Sequence, residues 1–334
     1  MGGGNWDSRS YASAASTRAA SGIDDFDYDK KVKSGRAAGI HSALDPKTVA
    51  GPASPLAGTV VRESRDSADH PESLPVAVLF DVTGSMGGIP RVLQTKLATL
   101  MDVIVAKAGV KDPQILVGAI GDSHSDRYPF QVGQFESDNR FDEQLRSLIL
   151  EGGGGGQVME SYGLAWRFAG YHTASDSFEK RGKKGYLFTM GDESLWPTIS
   201  KDEVRDIFGV EAEADESVES LLKRAQEKWE VFHLFSLDGS YPHVTSIHER
   251  WKNLLGERFV TLEDSSLVCE VIAGLIHMME SAYDATKVVD DMGLSGHARS
   301  AVHNALVPVG KTRVPRAKGS GNLPKRGSGG IVRV

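Results

Sequence analysis

Between residues 74 and 284, continuous apolar runs alternate with stretches whose apolar side chains recur three and four apart, at a repeat of roughly thirty residues. Residues 76–80 are apolar without interruption, the pattern of a strand covered on both faces. Ile89, Val92, Leu93, Leu97, Leu100, Ile104 and Val105 follow as a single helical stripe. Residues 115–120 read as the next strand, 131–135 as a short edge strand of alternating polarity, and 142–150 as a helix. A glycine run at 152–156 opens a helix through Met159, Tyr162, Trp166 and Ala169. Further strands lie at 186–190, 231–237 and 258–262. Val218, Leu221, Leu222 and Ala225 mark a helix between the first two of these, and a last amphipathic helix covers 267–282. Strands joined by helical crossovers predict an α/β fold: a doubly wound, mostly parallel six-stranded sheet with helices on both faces and one short antiparallel edge strand. Sheets of that kind carry their chemistry beyond the carboxyl ends of the strands.

The flanks lack this pattern. Residues 1–73 are rich in Ala, Ser, Gly and Asp, with Phe26, Tyr28 and Ile40 as anchors, and read as an extended, partly disordered arm before a domain at 74–284. Residues 285–334 read as a basic, mostly disordered tail. The net charge of -7 hides an asymmetry, because from Lys311 onward there are seven Lys or Arg and no acid. An acidic body argues against a protein that coats nucleic acid; any such contact would fall to the basic tail, which has no interleaved aromatic residue to stack on bases. Cys269 is the sole cysteine, which rules out a disulfide framework and a multi-cysteine zinc site. The opening residues hold no apolar run of signal-peptide length, and Trp6 stands where N-myristoylation requires Ser or Thr. No segment reaches the ~20 apolar residues that cross a bilayer. No membrane partner is expected, and the expected location is the cytoplasm.

Three strand ends supply candidate site residues. The first runs Leu79-Phe80-Asp81-Val82-Thr83-Gly84-Ser85-Met86, the second ends at Gly121-Asp122, and a later one reads Thr189-Met190-Gly191-Asp192-Glu193. Asp81, Thr83 and Ser85 offer one carboxylate and two hydroxyls from a short loop. A small set of hard oxygen donors without His or Cys suits octahedral Mg²⁺ or Mn²⁺ and disfavours zinc. The same residue types also build ordinary βα loops and helix caps. The joint presence of Asp81 and Asp192 at two strand ends favours a site.

Asp81-Val82-Thr83-Gly84-Ser85 resembles the DxSxS/DxTxS signature of von Willebrand factor A domains, whose metal-ion-dependent adhesion site (MIDAS) binds Mg²⁺. The order of strands and Gly191-Asp192 extend the likeness over about residues 74–284. The resemblance implies a Rossmann-like von Willebrand A fold, Thr83 and Ser85 as hydroxyl ligands, and Asp81 and Asp192 bound directly or through water. It also implies a coordination position left for a partner's Asp or Glu. The family's further Thr is missing from residues 152–160, so Gln157 or Glu160 is expected in its place, with Asp122 as a supporting group. The glycine run and Gly191-Asp192-Glu193 resemble intracellular bacterial and phage members, which commonly serve AAA+ ATPases of the MoxR or magnesium-chelatase type. The resemblance therefore implies a Mg²⁺-dependent protein-binding module with such an ATPase as partner.

Enzymatic readings fare less well. The loop also resembles the opening motif of haloacid-dehalogenase-type phosphatases, with Asp81 as nucleophile on Mg²⁺. That family's general acid would fall on Thr83, and a threonine cannot protonate a leaving group at neutral pH. Thr83-Gly84-Ser85-Met86-Gly87 misses the serine-hydrolase elbow, His248-Glu249-Arg250-Trp251-Lys252 lacks a second zinc-binding His, and no P-loop occurs. No complete catalytic constellation is present, so an enzyme is not expected. His124 and Asp126 read as solvated loop residues, Trp166, Trp229 and Trp251 as core or interface, and Cys269 as inert.

Overall fold

The apolar run at 76–80 becomes the centre of a six-stranded sheet, because its alternate side chains enter two different cores. Val76, Val78 and Phe80 pack into one, and Ala77 and Leu79 into the other, so every residue of the strand is buried. The structure is a computed structural model that describes residues 4–23, 26–97, 99–153, 158–281 and 283–311. The sheet strands are β1 (Leu74–Asp81), β2 (Pro113–Ile120), β3 (Phe130–Val132), β4 (Gly185–Gly191), β5 (Trp229–Ser236) and β6 (Phe259–Leu262). Their spatial order is β6-β5-β4-β1-β2-β3, with β2–β3 antiparallel and every other pairing parallel. The chain builds outward from β1 to β3, then crosses to β4 on the opposite flank of β1. A crevice therefore opens between the carboxyl ends of β1 and β4, where Asp81 and Asp192 emerge.

The helices are α1 (Ser8–Ala20), α2 (Asp27–Lys33), α3 (Ile89–Leu97), α4 (Leu100–Lys107), α5 (Arg140–Arg146), α6 (Gly163–Tyr171) and α7 (Asp176–Arg181). They continue as α8 (Lys201–Phe208), α9 (Val218–Gln226), α10 (Thr245–Leu255), α11 (Val268–Glu280), α12 (Ala285–Asp291) and α13 (Gly296–Lys311). Buried residues of α3–α5 and α11–α13 belong to the larger core, and those of α6 and α8–α10 to the smaller. The single stripe read over 89–105 is two helices, α3 and α4. The α8 helix escapes the periodic pattern because it buries only Val204 and Phe208. Among the described residues, no single helix is long and apolar enough to cross a membrane.

Both flanks are more ordered than their composition suggests. Phe26 and Leu44 are fully buried, and the Leu44 carbonyl accepts the Val132 N–H, which covers the free edge of β3. Arg62, also buried, donates to the carbonyls of Gly133 (3.0 Å), Thr48 (2.8 Å) and Asp45 (2.6 Å). A guanidinium holding separate backbone segments leaves no periodic trace, so the expected extended arm is in fact docked over much of its length. At the other end the folded unit runs past the expected boundary at 284. Val288, Val289, Val302 and Leu306 of α12 and α13 are fully buried in the larger core. Residues 312–334 lie outside the described residues.

Candidate metal centre

Asp81 closes β1, and the next residues fold back on it. Its Oδ1 accepts the Thr83 N–H (2.8 Å) and the Thr83 hydroxyl (2.6 Å), a local turn that side chains of this type favour. Thr83 Oγ1 lies 3.3 Å from Ser85 Oγ, and Ser85 Oγ donates to Asp192 Oδ1 at 2.7 Å. The loop after β5 completes the ring: the Ser240 N–H donates to Asp192 Oδ2 (2.6 Å), and the Ser240 hydroxyl to the Ser85 carbonyl (2.8 Å). From the smaller core, the Tyr162 hydroxyl donates to Asp81 Oδ2 at 2.9 Å. Asp81 and Asp192 are fully buried, and Thr83 nearly so. Asp81, Thr83, Ser85 and Asp192 thus form one continuous polar chain across the β1/β4 crevice.

Two glycines make this approach feasible. A Cβ on Gly191 would stand 1.7 Å from the Tyr162 hydroxyl, and one on Gly239 would stand 2.3 Å from Asp192 Oδ2. The glycine run begins against the same loop: the Gly152 N–H donates to the Val82 carbonyl (3.1 Å), and the Gly84 N–H to the Gly153 carbonyl (2.6 Å). Gln157 lies outside the described residues. Glu160 is buried and arrives by a route the sequence did not suggest. Its segment, Met159–Glu160, forms not a helix but a two-residue strand parallel to Ser194–Leu195, which brings Glu160 beside Glu193. The Glu193 carboxyl contacts both Ser85 and Glu160.

Asp122 takes a different part. Its Oδ1 accepts the Trp196 indole N–H (2.8 Å) and the His124 N–H (3.0 Å), while Oδ2 accepts the Ser125 hydroxyl (2.9 Å). These oxygens serve the local turn and Trp196, and no hydrogen bond joins Asp122 to the Asp81 chain among the described residues. The expectation for Asp126 needs correction. It is half-buried, its Oδ2 accepts the Asp122 N–H at 2.8 Å, and burial raises its pKa. The His124 ring lies against Trp196, tilted by 32° with ring centroids 4.1 Å apart. Sequence reasoning passed over Tyr162, Ser240 and Glu193 as site groups. For Glu193 a signal was present, since it directly follows Asp192 at a strand end.

The electrostatics are one-sided. Burial pushes the Asp81 carboxyl up to about 7 against its hydrogen bonds from Thr83, and the charge of Asp192 adds to the rise. Burial likewise lifts Glu160 to about 11 and Glu193 to about 7, reinforced by neighbouring carboxylates. Tyr162 stays protonated, its pKa driven well up by burial and then by Asp81. Among the described residues, no Lys or Arg pairs with Asp81, Glu160, Asp192 or Glu193, and Glu160 Oε2 and Glu193 Oε2 are buried without any hydrogen-bond partner. An unpaired buried charge costs several kcal/mol, so a cation fits this donor set. No three His, Cys, Asp or Glu side chains converge as a ligand set among the described residues, so a centre here depends on the hydroxyls of Thr83 and Ser85. A cleft of about 520 Å³ opens beside Ser85, bordered by Gly87, Val92, Ser240, Asp264 and Ser266. The site adds no support for the phosphatase reading of Asp81, whose general-acid position is occupied by Thr83.

No family model matches the chain, and no curated relative does. Among solved structures it is similar to the pilus adhesin SpaC from Lactobacillus rhamnosus GG in its open conformation, at 9% identity and a TM-score of 0.44, covering 64% of this chain and 31% of that one. It is also similar to proximal thread matrix protein 1 from the mussel byssus, at 12% identity and a TM-score of 0.41, covering 62% of this chain and 46% of that one. Another structure of the byssus protein, with a zinc-occupied MIDAS motif, aligns at 13% identity and a TM-score of 0.40 over 64% of this chain and 46% of that one. The chain spans less than half the length of each of these proteins.

Proposed function

We propose that this chain is a metal-dependent protein-binding module with a doubly wound fold of von Willebrand A type. In this reading Asp81, Thr83, Ser85 and Asp192 hold one Mg²⁺ or Mn²⁺ and leave a position for an Asp or Glu of a protein partner. The observation that carries it is the largely buried chain Asp81–Thr83–Ser85–Asp192 at the β1/β4 crevice, which no cationic side chain among the described residues balances. A bound hard divalent cation supplies the positive charge that an acidic body otherwise lacks for capturing a carboxylate. The chain's own groups set the geometry. Tyr162 and the Ser240 N–H fix the outer oxygens of Asp81 and Asp192, while Ser85, which borders the cleft, presents its hydroxyl toward an incoming ligand.

The partner in this reading is an AAA+ ATPase of the MoxR type in the cytoplasm. It is named by the glycine run and Gly191-Asp192-Glu193, through which the sequence resembles intracellular domains of that association. The test is a pull-down with the full chain in Mg²⁺ and in chelator. A partner retained in Mg²⁺, released by chelator and lost with Asp81→Ala supports the proposal. Binding indifferent to both perturbations removes the metal from the function.

A further inference from the structure

Glu160 and Glu193 are not needed to explain the four-residue centre, yet the fold brings them together at its side. The parallel pair Met159–Glu160 and Ser194–Leu195 sets the register, with Glu160 opposite Leu195 and the Glu160 carbonyl accepting the Trp196 N–H at 3.3 Å. Glu160 is 2% exposed and Glu193 is 5% exposed. Each has one carboxylate oxygen, Oε2, that is buried and accepts no hydrogen bond. A buried acceptor without a donor is costly, and a native fold retains it where a bound group supplies the missing contact.

The surroundings point the same way. Asp81, Asp192, Glu160 and Glu193 are all more than nine-tenths buried, and no Lys or Arg among the described residues pairs with any of them. Glu193 also touches Ser85, whose hydroxyl belongs to the first centre, so the two positions would share that side chain.

We propose that the crevice takes two divalent cations, the second one held by Glu160 and Glu193 next to Ser85. The pair supplies only hard oxygens, and two carboxylates completed by water are a sufficient set for Mg²⁺ or Mn²⁺. The inference rests on the reading that the first centre binds metal. It adds a stoichiometry and a specific pair of residues.

Mn²⁺ alone is the probe. The full chain, stripped by chelator and desalted, is titrated with Mn²⁺, and free ion is read by electron paramagnetic resonance. Two ions bound per chain are expected for the natural sequence, and one for Glu160→Gln/Glu193→Gln. Circular dichroism checks the fold of the variant. Should the double variant fail to fold, Glu193→Gln alone is expected to weaken the second ion by at least about tenfold. No ion bound by the natural chain overturns the first reading along with this one, and a single ion overturns only the second site. Two ions bound by chain and double variant alike, or two by the chain and none by the variant, overturn the assignment to Glu160 and Glu193.

Discussion

In the metal-free protein, Asp81 makes the fold less stable as the pH rises, the reverse of what a paired carboxylate does. Its folded-state pKa is about 7 against an ordinary value of 3.8, with burial as the main cause. Below 3.8 the carboxyl is protonated in both folded and unfolded states and costs nothing. Between 3.8 and about 7 the folded state keeps a proton that the unfolded state has released, so stability falls with rising pH until the loss is complete above about 7. An interval of that width corresponds to roughly 4 kcal/mol. At about 2–4 °C per kcal/mol, the midpoint should drop on the order of 10 °C between about pH 4 and pH 8. Other groups titrate in the same range. His172, lowered to about 4 mainly by burial, stabilises the fold above 6.5 and loses that contribution as the pH falls through its folded value. Asp81→Asn reads the effect of Asp81 together with its Coulombic push on Glu160 and Glu193, because it removes the charge and keeps an acceptor for the Thr83 N–H. Thermal unfolding of both proteins should show the natural chain losing on the order of 10 °C against the variant as pH rises across this window. Adding Mg²⁺ at about a hundred times its Kd should return ~2.7 kcal/mol to the natural chain and nothing to the variant. Parallel pH curves, or equal gains from Mg²⁺, would refute both the buried charge and its role.

Three further outcomes follow from the same contacts. Tyr162→Phe removes the hydroxyl donor to Asp81 Oδ2 and should cost about 1–3 kcal/mol in denaturant unfolding while retaining the ring packing on Trp251. Gly191→Ala forces a Cβ against that same hydroxyl, so its destabilisation should be smaller in a Tyr162→Phe background, and a double-mutant cycle that adds without coupling counts against the clash. Asp29→Ala in α2 strips the Leu150 N–H of its acceptor at 3.0 Å, and Lys33, which donates to the Leu150 carbonyl at 2.7 Å, loses its partner. About 1–3 kcal/mol should be lost, along with some Mg²⁺ affinity measured by calorimetry, because residue 150 leads directly into the glycines that hydrogen-bond the Asp81 loop.

What the sequence revealed follows the range of the interactions involved. Strands β1, β2, β4 and β5 were legible because covering both faces requires an unbroken apolar run. Asp81, Thr83 and Ser85 were legible because their mutual contacts lie within five consecutive residues. Asp192 could be found only through the rule that chemistry gathers at strand ends. Tyr162 looked like one more apolar position on a helix face, and nothing in its neighbourhood announces a hydroxyl aimed 81 residues back in the chain. Ser240 acts partly through a backbone N–H, which any residue but proline possesses, so its identity carries little signal. The docking of the first seventy residues was hidden for a related reason. Arg62 and Leu44 hold the segment through carbonyl and amide groups of remote partners, and composition cannot register such bonds.

The direction of the hydroxyl protons separates a ligand-holding loop from a helix cap. A serine or threonine that only caps a helix gives its oxygen to backbone N–H groups, as Ser200 does to Glu203 and Ser217 to Ser220. Thr83 precedes a single 3₁₀ turn, Gly84–Met86, and makes no such contact. A hydroxyl has one proton. Thr83 gives its proton to Asp81 at 2.6 Å and Ser85 gives its own to Asp192 at 2.7 Å, so the 3.3 Å approach between the two hydroxyl oxygens has no proton left to fill it. Glu193 stands beside Ser85 as a further oxygen acceptor. Oxygen acceptors crowded around one gap repel one another, and a bound cation would relieve that repulsion. A loop selected only to turn from strand to helix would have no reason to keep both protons pointed at buried carboxylates.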